Sequence, residues 1–265
     1  SENRNVEELD LAQQNKGWIE SPFQLPLQQL YGHACVRDGD RLIVIGGRLN
    51  SDGPGTGKTP VYEIQLTSPH ASRLLGYLPG EICQHRAEKI GSEIFIIGGM
   101  ERSGMESTRR NKVLLLRHKR RAESTSSENL LPYEELNPLP YAVSQMATAV
   151  LGDHVFVLGG TGDQGEVLDK AIMYNVTTKK LERRGRYCEL PKMNNKRSGC
   201  TAVAIGDDIM VMGGYNETGP GTALKSVEYY NYKTGVWKDC EPMTEPRAFA
   251  TAVRCNVPWQ NITQL

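Results

Sequence analysis

The chain has 265 residues, with 31 Lys+Arg against 31 Asp+Glu and a formal net charge of zero. That length supports one large domain with its own core, and the charge balance supplies no global field for nucleic acid or an anionic membrane. The six cysteines include no CxxC pair and read as reduced, structural thiols, and no apolar run reaches the ~18 residues that span a bilayer, so a cytoplasmic or nuclear protein is expected. Three Asn-x-Ser/Thr triplets, at Asn175, Asn216 and Asn261, would be glycosylation acceptors only in a secreted protein.

In chain order, residues 6–11 and the stretch through Trp18 read as two strands. A repeat then begins. Tyr31-Gly-His33 leads into the apolar strand Ala34-Cys-Val36, a tight turn at Asp38-Gly39-Asp40, and a second strand that ends in the doublet Gly46-Gly47. The same order returns with the lead-in His85-Arg86, the turn Gly91-Ser92 and the doublet Gly98-Gly99. It returns again with Ser144-Gln145, Gly152-Asp153 and Gly159-Gly160, and with Arg197-Ser198-Gly199, Gly206-Asp207 and Gly213-Gly214. The doublets start 52, 61 and 54 residues apart. A fifth lead-in, Arg247-Ala248-Phe249, opens a last strand-like run to Val253.

Gly and Asp at the turns allow the backbone of a two-residue hairpin. A polar loop and two more strands follow each doublet, plainest at Val227–Tyr232 and around Trp237. Each unit is therefore a four-stranded antiparallel meander, apolar on both faces, and such units bury both faces only by stacking around an axis. An all-β propeller of four-stranded blades is predicted: one domain over 1–265, with blades at about 31–80, 81–140, 141–194 and 195–245. Residues 1–30 and 246–256 are expected to share a fifth blade.

Gly53-Pro-Gly-Thr-Gly-Lys-Thr59 looks like a phosphate-binding loop but places Asp52 where the first glycine belongs, and it opens onto a strand, whereas phosphate binding needs a helix N-terminus. The five histidines, His33, His70, His85, His118 and His154, show no ligand spacing, so no metal or cofactor is expected. Arg109, Arg110, Lys112, Arg117, Lys119, Arg120 and Arg121, followed by residues 122–128, read as a long exposed hairpin loop, with a docking site for an acidic partner or a localisation signal as the alternatives.

The repeat is similar to the kelch repeat, and the chain resembles the kelch domain of the kelch-like family. The likeness is closest in the fourth unit, through Val227-Glu-Tyr-Tyr230, Trp237, Pro242-Met243 and Arg247. It is weaker where Leu181 replaces the tryptophan of the third unit, where the first offers only Leu74 or Leu75, and where the second has no aromatic anchor before Tyr133. The resemblance implies closure of the ring by a C-terminal first strand. It also implies that a Gly-Gly strand is missing upstream, so that the chain is a trimmed piece with five blades counted against a family norm of six.

In a propeller the lead-in loops gather on one face, together with the loops after the doublets. That face is expected to carry Tyr31, His33, His85, Arg86, Ser144, Gln145, Arg197, Ser198, Arg247 and Phe249, with Arg48, Asn50, Arg102, Tyr215 and Asn216 beside them. Arginine forks with serine and tyrosine hydroxyls suit a short acidic peptide. In kelch-like substrate adaptors Arg and Ser of an R-S-G motif contact such peptides, and Arg197-Ser198-Gly199 matches it. The resemblance implies a protein-interaction module serving a cullin ubiquitin ligase through an upstream BTB region. An actin-binding scaffold and a propeller enzyme are the alternatives.

Overall fold

Every Gly-containing turn singled out above closes an antiparallel hairpin, pairing Ala34–Asp38 with Arg41–Ile45, Arg86–Ile90 with Glu93–Ile97, Ala147–Leu151 with His154–Leu158, and Thr201–Ile205 with Asp208–Met212. The structure, a computed structural model, describes residues 5–9, 18–24, 30–49, 57–117, 129–176, 185–217 and 221–254. Asn50, Asp52, most of the phosphate-loop lookalike, residues 118–128, Leu181 and Asn261 lie outside them.

Each hairpin extends by two strands into a four-stranded sheet: Lys58–Gln65 and Ser72–Pro79 in blade 1, Val113–Arg117 and Tyr133–Leu136 in blade 2, Ala171–Asn175 and Tyr187–Glu189 in blade 3, and Val227–Asn231 and Val236–Cys240 in blade 4. The described residues contain strands and no helix. The fold is an all-β propeller of four-stranded blades, as predicted.

After a polar first residue the second strands are apolar without a break; in blades 1 to 3 both faces of that strand are buried, while in blade 4 Ile209 and Val211 are buried and Met210 and Met212 half-buried. In blade 2, Phe95, Ile97, Val113 and Leu115 pack with Val143, Val155 and Val157 of blade 3, while their neighbours Ile94, Ile96, Leu114 and Leu116 pack with Ile43, Ile45 and Val61 of blade 1. The period-two alternation of a strand thus feeds two separate cores. A third core joins Phe156 and Leu158 of blade 3 to Ile209, Val211, Tyr230 and Trp237 of blade 4, where the indole N–H donates to Pro191 O at 2.7 Å.

The glycine doublets stitch one blade to the next. Gly98 sits at φ 57° and Gly99 at φ 94°, in backbone regions costly for a residue with a Cβ. A Cβ on Gly98 would lie 2.6 Å from Val143 O, and the N–H of Gly99 donates to that same carbonyl at 2.8 Å. The other doublets repeat the bond: Gly47 to Ile82 O, Gly160 to Arg197 O and Gly214 to Arg247 O. The crowding that requires glycine therefore comes from the lead-in of the following blade.

The two predicted N-terminal strands are an antiparallel pair, Asn5–Leu9 with Trp18–Gln24. The expected strand at 248–253 does not join a ladder. Instead Ala252 N–H donates to the Thr201 hydroxyl at 3.1 Å, and residues 251–254 run beside the inner strands as a wall of the axial channel. A side-chain hydroxyl takes the place of the main-chain ladder there.

Candidate functional site

Five equivalent positions, Gly32, Gln84, Gln145, Gly199 and Phe249, ring the mouth of the channel, with φ of 67°, 54°, 57°, 66° and 54°. The N–H of each of the last four donates to the carbonyl of the one before it, at 2.7, 3.1, 2.9 and 2.7 Å. Beside each of the first four positions the lead-in pairs with the segment after the doublet: Tyr31 with Arg48, Glu81–Cys83 with Met100–Arg102, Ser144 with Thr161, and Ser198 with Tyr215. The lead-ins and post-doublet loops thus share one face, as the repeat predicts.

On this face lies a cleft of about 640 Å³ between blades 3 and 4. Its floor is a hydroxyl-amide cluster in which Ser198 Oγ donates to Gln145 Oε1 at 2.9 Å and lies 2.7 Å from Thr161 Oγ1. One wall is the Tyr215–Phe249 pair, with ring centroids 6.0 Å apart and planes at 54°. Phe249 is 62% exposed, and its ring lies over Gly199, where a Cβ would come within 2.8 Å of it. Arg109, Glu166 and Glu217 line the rim. Arg109 Nε donates to Ser144 Oγ at 3.2 Å and its Nη1 to Asp163 O at 3.4 Å.

Of the predicted site residues, Gln145, Ser198, Tyr215 and Phe249 meet in this cleft. Ser144 is buried beneath it, and Asn216 is exposed next to Tyr215. Tyr31 and Arg48 face each other in blade 1, and Arg102 bonds to Gly104 O of its own hairpin. Arg247 is exposed outside the cleft, contributing its backbone carbonyl to Gly214.

Three expectations need correction. Arg197 is 0% exposed and offers nothing to a ligand. Its Nε pairs with the equally buried Glu228 at 2.9 Å, Nη1 donates to Gly213 O and Ser226 O at 2.8 and 3.0 Å, and Nη2 donates to Ser226 Oγ at 2.9 Å. Glu228 completes the cluster by accepting the N–H of Asn194 at 2.6 Å. His85, 2% exposed, is packed in the seam between blades 1 and 2, and burial there, with the nearby Arg110, His33 and Arg86, lowers its pKa to about 3. Arg86 and His33 line the channel and not the loop face, with Arg86 Nε donating to Met146 O at 2.7 Å.

Sequence reading missed Thr161, Gln164, Glu166, Val167 and Glu217. Thr161 was within reach, since it follows the third doublet as Arg48 and Tyr215 follow theirs. Glu166 was not, because it enters through the turn at Gly162–Gly165, whose N–H groups bond to Glu166 O and Gly162 O.

The channel forms a second cavity of about 630 Å³. It holds Glu88, whose pKa is raised by burial and whose Oε1 accepts the Thr148 hydroxyl at 2.6 Å. Among the described residues no three His, Cys, Asp or Glu side chains are grouped to hold a metal ion.

A family model described as the KLHDC2/KLHL20/DRC7 Kelch-repeats domain matches residues 32–257. Kelch-like protein 36 of Rattus norvegicus is 35% identical over 101 residues, 37% of this chain and 15% of that protein. Kelch-like protein 40 of Mus musculus is 27% identical over 228 residues, 83% of this chain and 32% of the relative. The chain thus spans less than a third of either relative. Among solved structures, one titled "Structure of YjhT" superposes with a TM-score of 0.63 at 16% identity, over 84% of this chain and 68% of that one.

Proposed function

The chain belongs to the kelch-repeat family, and from that premise we propose that its loop-face cleft captures a peptide or loop of a partner protein, as the substrate-recognition part of a cullin ubiquitin ligase adaptor in the cytoplasm. The observation that carries the capture reading is the cleft itself. Residues 145, 198, 215 and 249, remote in sequence, converge there on a hydrogen-bonded floor with a large aromatic side chain left in water. An exposed aromatic beside fixed polar groups is the usual composition of a recognition hot spot. The adaptor part rests on the likeness to kelch-like proteins and requires a BTB region to reach the cullin. An acidic preference loses its main support, since Arg197 is committed to Glu228.

Affinity capture with quantitative mass spectrometry tests the reading. Tyr215→Ala with Phe249→Ala should lose a set of proteins that Tyr187→Ala with Val236→Thr, on outer strands, retains. Proteins in that set should accumulate when the chain is depleted. Identical capture lists from the two variants would remove the cleft from consideration, and filament cosedimentation of the wild type would favour an actin scaffold.

A further inference from the structure

The remaining charges of the cleft point to the chemistry of its ligand. Two carboxylates, Glu166 and Glu217, line it against one arginine, Arg109. The arginine is already occupied at Nε and Nη1 by Ser144 and Asp163. Glu166 is held in place, its Oε2 accepting the N–H of Gln164 at 3.0 Å, and the missing Cβ of Gly162 leaves room for its carboxylate. The Tyr215 and Phe249 rings line the same cleft. Phe249 keeps a left-handed φ of 54°, a backbone region costly for a residue with a Cβ, yet it is 62% exposed and not part of a core. The ring faces carry the negative end of a quadrupole, and the two carboxylates add full charge of the same sign. An acidic side chain would meet both carboxylates, and a purely apolar one would desolvate them without compensation.

We propose that the cleft receives a cationic side chain, the Arg or Lys of a basic peptide segment in the partner, stacked on Tyr215 and Phe249 and paired with Glu166 and Glu217. The proposal rests on the capture reading above and specifies its ligand. A guanidinium fits best, because its plane stacks on an aromatic face while its edge donates to a carboxylate. The neutral floor of Gln145, Ser198 and Thr161 would then meet the peptide backbone through hydrogen bonds.

A phage-displayed random dodecapeptide library, selected on the immobilised full chain and counter-selected on Phe249→Ala, separates the two claims. Peptides that depend on Phe249 should share Arg or Lys at one position. In a synthetic peptide from that set, replacing the arginine by citrulline keeps the shape and removes the charge, and affinity should fall at least tenfold. Glu166→Gln with Glu217→Gln should weaken the arginine peptide by a similar factor while leaving the citrulline peptide unchanged. Phe249→Leu, which keeps an apolar contact over Gly199, should weaken the arginine peptide as well, and thermal melts confirm that every variant is folded. Phe249-dependent peptides that are acidic or uncharged at the shared position, or a citrulline peptide that binds equally well, would overturn the cation and leave the capture site standing. Failure to select any Phe249-dependent peptide would overturn both.

Discussion

Arg197→Met should destabilise the fold strongly while leaving the loop face chemically unchanged. The arginine and Glu228 are both 0% exposed, and the guanidinium makes four hydrogen bonds: to the Glu228 carboxylate, to the Gly213 and Ser226 carbonyls and to the Ser226 hydroxyl. Methionine fills much of the volume but leaves a buried carboxylate with only the N–H groups of Asn194 and Asn195 as partners. Removing one member of a buried ion pair typically costs about 3–5 kcal/mol. For a domain of this size each kcal/mol shifts Tm by about 2–4 °C, so a fall of roughly 10 °C is expected by circular dichroism. Combining Arg197→Met with Glu228→Gln, which removes the stranded charge, should recover part of the loss. Arg247→Ala, at an exposed side chain, should stay within about 0.5 kcal/mol of wild type. A fully stable Arg197→Met protein that no longer captures its partner would refute the structural role and return Arg197 to the binding site.

Gly98→Ala should cost at least ~2 kcal/mol in urea unfolding, because the new Cβ meets the Val143 carbonyl at 2.6 Å and φ is 57°; Gly91→Ala, with nothing within 4 Å of its Cβ, should bear only the backbone cost. His85 is held neutral by burial with a pKa near 3, against an ordinary value of 6.5. Between these values the unfolded chain binds the extra proton, so stability should fall as pH drops from about 6.5 toward 3, by up to about 1.4 kcal/mol per unit, and remain at the lower level below that. His85→Leu should flatten this part of a pH series of denaturation midpoints, and an unchanged slope would exclude His85 as its source. Gln84→Gly relieves a left-handed residue at a ring position that is glycine in units 1 and 4, and should raise stability by about 0.5–1 kcal/mol with peptide binding unaltered.

The blade architecture was legible because its constraints are local: a turn glycine, five mostly apolar residues and a doublet repeat in the sequence itself. The partner of each doublet was not legible, since the carbonyl crowding Gly98 comes from Val143, 45 residues on and in the next blade. The site was legible only as a set of equivalent loops. Equivalence in the repeat fixes where Ser198 and Gln145 stand around the axis, and both reach the cleft. It does not decide whether a side chain turns outward or into its own blade, and Arg197 turns inward because Glu228, at the second position of the third strand, is buried to receive it. The expected strand at 248–253 fails for a related reason. Its apolar pattern suits an inner strand, and it does lie along the channel, but beyond Phe249, whose N–H bonds to Gly199 O, it meets the first strand of blade 4 through the Thr201 hydroxyl and not through a main-chain ladder.

Photo-cross-linking tests the capture site most directly. Benzoylphenylalanine placed at Phe249, or at Tyr187 on the outer strand of blade 3, is irradiated with a selected basic peptide, and the attachment point is read by mass spectrometry. The account predicts an adduct from position 249 that excess unlabelled peptide abolishes, and none from position 187. An adduct from 187, with none from 249, would contradict the assignment of the loop-face cleft as the binding site.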